Sequence, residues 1–239
     1  MRVLLLPVKD LRNAKQRLAG VMSPSQRFAL AQAMLTDTMR AVNRIRSAVK
    51  IFVITNYEPA ARAALQNGWE ILREDQQTSE SASVDAASRI CAERGVSALL
   101  RLPLDLPLLQ AEDVDELLDC ACSAPGMLIV PSSDGTGTNA LLRTPPTLFP
   151  SHFGTGSFAK HLAEGERAGA QIVIHRNPRL EMDVDDECDL RLLLRQDLSG
   201  TETGRWLAEN HIASSVLERR AADDSPTSIR EKSNTATPR

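Results

Sequence analysis

Four stretches of the chain gather residue types that handle phosphates and divalent cations. Lys9, Arg12, Lys15 and Arg17 crowd the segment after a first apolar run, with Arg27 further on. Cations so placed suit a triphosphate, whose charge needs positive partners near the developing leaving group; a solvated basic loop would look the same. Asp105 stands inside Leu102-Pro103-Leu104-Asp105-Leu106-Pro107-Leu108-Leu109. An acid in such an apolar run is costly to desolvate unless it is paired or binds a metal, and the two prolines fix its aim. The blander alternative is an acid that only caps a helix starting near Ala111. Asp183 and Asp185 alternate on an extended segment and therefore point the same way, which suits one metal, or one metal plus a ribose. Asp186 and Glu187, next in line, suit the N-terminus of a helix.

Two glycine-containing turns complete the set. In Ser132-Ser133-Asp134-Gly135-Thr136-Gly137-Thr138-Asn139-Ala140-Leu141-Leu142 the glycines allow backbone N–H groups to approach an anion, although an ordinary hairpin has the same look. Phe153-Gly154-Thr155-Gly156-Ser157-Phe158 repeats the pattern ahead of a helix, whose N-terminus favours phosphate, and His161 is near enough to see that phosphate. His152, His161, His175 and His211 lack metal-ligand spacing, and Cys91, Cys120, Cys122 and Cys188 lack CxxC spacing. No Ser–His–Asp or Cys–His arrangement competes. A basic loop, two separate acidic sites and two anion-binding turns together describe metal-assisted nucleotidyl transfer.

Short apolar runs supply the strands that would carry these loops: 2–8, 49–55, 69–72, 97–102, 127–130 and 171–175. They are continuous rather than alternating, as when helices cover both faces of a parallel sheet. Helical spacing is expected over 24–45, 59–66, 81–93, 111–122 and 186–196, the first opened by Ser23 as N-cap and Pro24 at its first position. The strand–helix alternation predicts an α/β fold, one domain over 1–220 with a mostly parallel sheet and helices on both faces. Ligands of such sheets sit beyond the carboxyl ends of the strands. Trp206, Leu207, Ile212, Val216 and Leu217 predict a last helical segment, and the polar composition of 221–239 predicts a disordered tail.

The bulk numbers narrow the classes of function. With 239 residues, 42% of them hydrophobic, the chain can build a sizeable core. Aromatic residues are only 3% and the net charge is -3, so neither stacking platforms nor a basic field favours a nucleic-acid partner. No segment approaches the roughly 20 apolar residues of a membrane span, and the N-terminus lacks a signal-peptide pattern, so no membrane partner and a cytoplasmic location are expected.

The same segments resemble the 2-phospho-L-lactate (or phosphoenolpyruvate) guanylyltransferase family of coenzyme F-420 biosynthesis, from residue 1 to about residue 217. The resemblance is carried by Pro7-Val8-Lys9 with Ala14-Lys15-Gln16-Arg17-Leu18, by Asp105-Leu106-Pro107-Leu108, and by Gly137-Thr138-Asn139-Ala140-Leu141. Phe153-Gly154 with Ser157 and His161, and Asp183-Val184-Asp185 followed by Asp189-Leu190, complete it. It implies a GT-A-like nucleotidyltransferase fold, GTP as donor, Mg2+, a small phospho-acid acceptor and a downstream transferase that uses the guanylylated product. Lys9, Lys15 and Arg17 are then expected on the nucleotide, with Lys15, Arg17 and Asp105 catalytic. Asp105, Asp183 and Asp185 are expected on the metal, and Thr138, Gly154 and Ser157 on the acceptor. Where the family commonly shows Gly-Leu-Asn near the nucleobase, this chain has Ser83-Val84-Asp85, so Asp85, with Glu80, is expected at the base edge. A related enzyme acting on 3-phosphoglycerate or a sugar phosphate, or a nucleotide-binding domain without chemistry, are the competing readings.

Overall fold

The computed structural model describes residues 1–74, 77–120, 123–214 and 216. Seven strands appear in chain order as β1 (Arg2–Pro7), β2 (Lys50–Ile54), β3 (Glu70–Leu72), β4 (Ala98–Arg101), β5 (Gly126–Pro131), β6 (Thr138–Thr144) and β7 (Gln171–Ile174). The helices are α1 (Pro24–Val42), α2 (Glu58–Gln66), α3 (Glu80–Glu93), α4 (Ala111–Asp119), α5 (Ser157–Arg167), α6 (Pro178–Glu181), α7 (Glu187–Leu193) and α8 (Glu202–Glu209). The strands form one sheet in the order β3-β2-β1-β4-β6-β5-β7. Every neighbouring pair is parallel except the two that include β6, which runs antiparallel between β4 and β5. Six strands therefore end at one edge of the sheet, and β6 begins there.

Alternation along β1 shows why helices must lie on both faces. Leu4 and Leu6 pack with Ala60 and Ala64 of α2 and Val114 and Leu117 of α4, while Val3 and Leu5 pack with Val84, Ala87 and Cys91 of α3. Fully burying each leucine contributes about 2 kcal/mol, so neither face tolerates exposure. A third cluster lies beyond the sheet edge. Leu18, from the loop after β1, meets Leu30 and Met34 of α1, Val184, and Leu190 and Leu193 of α7. It ties the basic loop to the acidic segment that flanks Val184.

Local sequence signals set the helix starts. Ser23 and Gln26 form a reciprocal capping box on α1, with Pro24 in the first turn; Asp186 and Asp189 do the same for α7. Such caps each contribute about 1 kcal/mol.

The expected strand and helix positions differ from the observed ones by at most a few residues, with one exception of substance. Residues 138–142, expected as part of an anion-binding loop, belong to β6, whose residues are buried as far as Arg143. The helices expected to end at Ile45 and Gln196 close slightly earlier, at Val42 and Leu193. The end of the helix expected at 121–122, Leu217 and the tail at 221–239 lie outside the described residues.

Candidate active site

The carboxyl edge of the sheet gathers the chemistry. Lys15, in the segment after β1, has a left-handed backbone conformation, φ 54°, and its side chain is 7% exposed. Its Nζ donates to Asp105 Oδ2 at 2.6 Å and to Asp185 Oδ1 at 2.9 Å. Burial opposes the charge of this ammonium, yet the two carboxylates hold its pKa above the usual lysine range. Burial likewise opposes ionisation of Asp105, but Lys15, and Arg101 behind it, keep its carboxyl below the usual range.

Asp183 sits differently. Its Oδ1 accepts from Asn139 Nδ2 at 3.1 Å, and the same amide donates to the carbonyls of Leu180 and Glu181 at 3.0 Å. Burial, then the neighbouring Asp105 charge, push its carboxyl up to about 6. Val184 between the two acids is wholly buried, so Asp183 and Asp185 both stand on the side away from the core. Among the described residues no group of three or more His, Cys, Asp or Glu side chains is arranged to hold a metal ion. Two carboxylates share one cation, and the third is hydrogen-bonded beside them.

Lys9 and Arg17 are exposed, and their side chains have no partner among the described residues. Arg12, by contrast, folds back on Asp10, with Nε to Oδ2 at 2.8 Å. The basic loop therefore divides into a buried ammonium, an internally paired arginine and two free cations.

On the other side of the edge, Arg101 ends β4 at 4% exposure. Its guanidinium bonds Glu80, donates to the carbonyls of Thr138 and Asn139 at 3.2 and 3.3 Å, and lies 4.1 Å from the centre of the Phe153 ring. Burial lowers its pKa to about 10, with Asp105 and Asp183 working to keep it charged. Glu80 opens α3, and its Oε2 has no partner among the described residues. Asp85 lies one turn on, where both its oxygens accept from the Ser151 N–H at 3.0 and 3.2 Å and Arg143 stands 3.6 Å away. Ser83 and Val84 are buried, Val84 in the core beneath α3.

The two glycine turns differ in what they offer. The first closes on itself, because Gly135 N–H donates to the Ser132 carbonyl, Thr136 N–H to Asp134 and Gly137 N–H to Ser132 Oγ at 2.7 Å. The short Asp134 and Ser132 side chains reach these groups more readily than any ligand could, which corrects the expectation of an anion cradle there. In the second turn, among the described residues, no acceptor takes the N–H of Gly154, Thr155 or Gly156. Gly154 and Gly156 have φ of 112° and 67°, values that a side chain would strain. Ser157 starts α5 just behind them and is buried. Thr138, at the head of β6, places Oγ1 3.0 Å from His161 Nδ1. His161 is fully buried with both ring nitrogens engaged, so it does not face a phosphate as its position in the sequence had led us to expect.

Sequence reasoning missed Arg101 and Asn139. Each carries a polar group on a buried strand at the ligand edge, a signal of the same kind as Asp105.

A mostly parallel sheet with one inserted antiparallel strand, and acids and cations at its carboxyl edge, is the architecture of a GT-A-like nucleotidyltransferase. A Desulfovibrio desulfuricans structure described as a nucleotide-diphospho-sugar transferase superposes with a TM-score of 0.73, covering 91% of this chain and 97% of that one at 18% identity. More specifically, the chain belongs to the family of CofC-like guanylyl transferases, whose model matches residues 1–223. The phosphoenolpyruvate guanylyltransferase of Rubrobacter xylanophilus is 37% identical over 79% of this chain and 91% of its own. The 2-phospho-L-lactate guanylyltransferase of Methanothermobacter thermautotrophicus is 31% identical over 78% and 81%. The 3-phospho-D-glycerate guanylyltransferase of Colwellia psychrerythraea is 30% identical over 80% and 90%. The protein is an enzyme of guanylyl transfer. No helix among the described residues is long and apolar enough to cross a membrane.

Proposed function

We propose that this enzyme transfers the guanylyl group of GTP to a three-carbon phospho-acid, phosphoenolpyruvate or 2-phospho-L-lactate ahead of 3-phosphoglycerate, with magnesium. The observation that carries this reading is the meeting of Asp105 and Asp185 on one ammonium, at an edge where Lys9 and Arg17 stand unpaired. Carboxylate oxygens suit magnesium, which keeps several waters and commonly takes only one or two protein carboxylates beside substrate phosphates. Asp105, with Asp183 or Asp185, would hold the ion, and the ion when bound would neutralise charge on the triphosphate. Lys9, Lys15 and Arg17 add positive charge for the same phosphates.

The acceptor's phosphate oxygen attacks the α-phosphorus of GTP. The new P–O bond forms as the bond to the β-phosphate oxygen breaks, and pyrophosphate leaves with that oxygen. The attacking oxygen is already ionised near neutral pH, so no general base is needed, and alignment with charge neutralisation supplies the rate. Thr138, Ser157 and the free N–H groups at Gly154 to Gly156 would take the acceptor's two anionic groups. A sugar phosphate lacks the carboxylate that a second anion-binding feature expects. For the base edge, Glu80 is favoured over Asp85, because Glu80 keeps a carboxylate oxygen free to accept from guanine's N1–H and amino group. The guanylylated diphosphate carries an activated phosphoric anhydride suited to a downstream transferase, which by the resemblance belongs to coenzyme F-420 biosynthesis.

Initial rates of pyrophosphate release with a panel of nucleotides and phospho-acids test the proposal. GTP with phosphoenolpyruvate or 2-phospho-L-lactate should exceed ATP by at least about 100-fold in kcat/KM, as a carboxylate covered by the bound nucleotide but facing the wrong base edge costs several kcal/mol. Equal efficiency with ATP, or release only with sugar phosphates, would refute the assignment of donor or acceptor respectively.

A further inference from the structure

Among the described residues, His161 is wholly buried, and the reaction proposed above makes no use of it. Its ring nitrogens have two partners of different kinds. Nε2 lies 2.9 Å from the backbone N–H of His152, and Nδ1 lies 3.0 Å from Thr138 Oγ1. A backbone N–H can only donate, so Nε2 must be the acceptor and carry no hydrogen. A hydrogen on Nε2, in the other tautomer or in the imidazolium, would set two donors against each other in a buried site, a loss on the scale of an unmade hydrogen bond. The ring is therefore neutral with its hydrogen on Nδ1. Burial works in the same direction, followed by the neighbouring Arg143, His152, Arg101 and Lys160, and together they lower the His161 pKa to about 3. The rings of Phe149 and Phe153, with centroids 6.2 and 5.0 Å away, close the pocket around it.

The consequence falls on Thr138. Its oxygen accepts from Nδ1–H, so its own hydroxyl hydrogen cannot lie on that axis and must point elsewhere. Thr138 heads β6 at the ligand edge and is 7% exposed. We propose that His161 is a positioning residue that, through Nδ1–H, leaves the Thr138 hydroxyl as a donor aimed at an anionic oxygen of the acceptor. This rests on the assignment of Thr138 to the acceptor. A hydroxyl without this partner could spend its hydrogen on a protein acceptor, and would bind the anion only after turning round.

Steady-state kinetics on the full-length enzyme test the idea, with KM for the phospho-acid and for GTP measured separately and Tm as the folding control. His161→Leu should raise the acceptor KM by about 10-fold, the scale of one hydrogen bond to a charged group, with the GTP KM unchanged. His161→Asn places an amide N–H near the position of Nδ1 and should recover most of the loss, whereas His161→Gln, whose amide reaches the Nε2 side, should not. This pair carries the test if the leucine variant fails to fold. In a Thr138→Val background, His161→Leu should add less than about 2-fold, since the group it orients is gone. Additive effects in that cycle, equal shifts in both KM values, or equal behaviour of the asparagine and glutamine variants would overturn the proposal. If Thr138→Val raises the acceptor KM and His161→Leu does not, the positioning role alone fails. If Thr138→Val leaves the acceptor KM unchanged, the acceptor assignment fails and takes the positioning role with it.

Discussion

Lys15 adopts a left-handed backbone without being glycine, a conformation that costs about 1 kcal/mol, and its ammonium sits between Asp105 and Asp185. The cost is offset only because the loop is fastened on both sides: Leu18 packs against Val184, and Val184 separates the acids. Removing one charge of the pair tests the assignment. Asp105→Asn keeps the shape and the hydrogen-bonding capacity but leaves Lys15 with Asp185 alone. Turnover should fall by at least about 100-fold, the scale of losing one electrostatic stabiliser, while the circular dichroism stays that of the parent enzyme. Near-parental turnover would remove Asp105 from the chemistry. At this scale a charge inside an apolar run was legible at Asp105 but not at Arg101, which stands in such a run as well. Arg101 and Asn139 were not read, because their burial is created by residues distant in sequence, Phe153 over one and the Leu180 and Glu181 carbonyls around the other.

At the level of elements, the six strands read from apolar runs all appear, and the seventh, β6, was hidden. Its first residues follow a glycine-rich turn and include Thr138 and Asn139, so the stretch looks like a continued loop. Its strand character comes from antiparallel pairing to β4 and β5, which no local pattern announces. Helix α5, which follows the second turn, makes a prediction of its own through His161. In the folded protein burial and the surrounding cations lower the ring's pKa to about 3, whereas in the unfolded chain it protonates near the ordinary imidazole value of about 6.5. Between those values the unfolded state binds more protons, so stability from this group falls as pH drops below about 6.5, by up to about 1.4 kcal/mol per pH unit. Urea midpoints of the parent enzyme and of His161→Asn between pH 7 and about pH 4.5 should diverge, with the parent losing stability faster. Parallel curves would mean that His161 can be protonated in place.

For the molecule as a whole, topology explains how loops scattered from Lys9 to Asp185 come to one place. Six strands end at the same edge and β6 starts there, so the segments that follow β1, β4, β5 and β7, and the start of α3, converge without long connections. The fold class followed from strand–helix alternation; the candidate site was read from residue types, with its acids and cations set in loops that such a sheet must expose. What the chain could not reveal was which charges would already be neutralised inside the protein and which would stay free for substrate. Everything proposed for the site turns on the α-phosphorus of GTP being joined to the acceptor's phosphate. Phosphorus NMR of a reaction of GTP, phosphoenolpyruvate and magnesium addresses it directly. A new pair of mutually coupled diphosphate resonances should appear, growing in step with inorganic pyrophosphate. GDP and orthophosphate in their place, or pyrophosphate with no new P–O–P coupling, would contradict it.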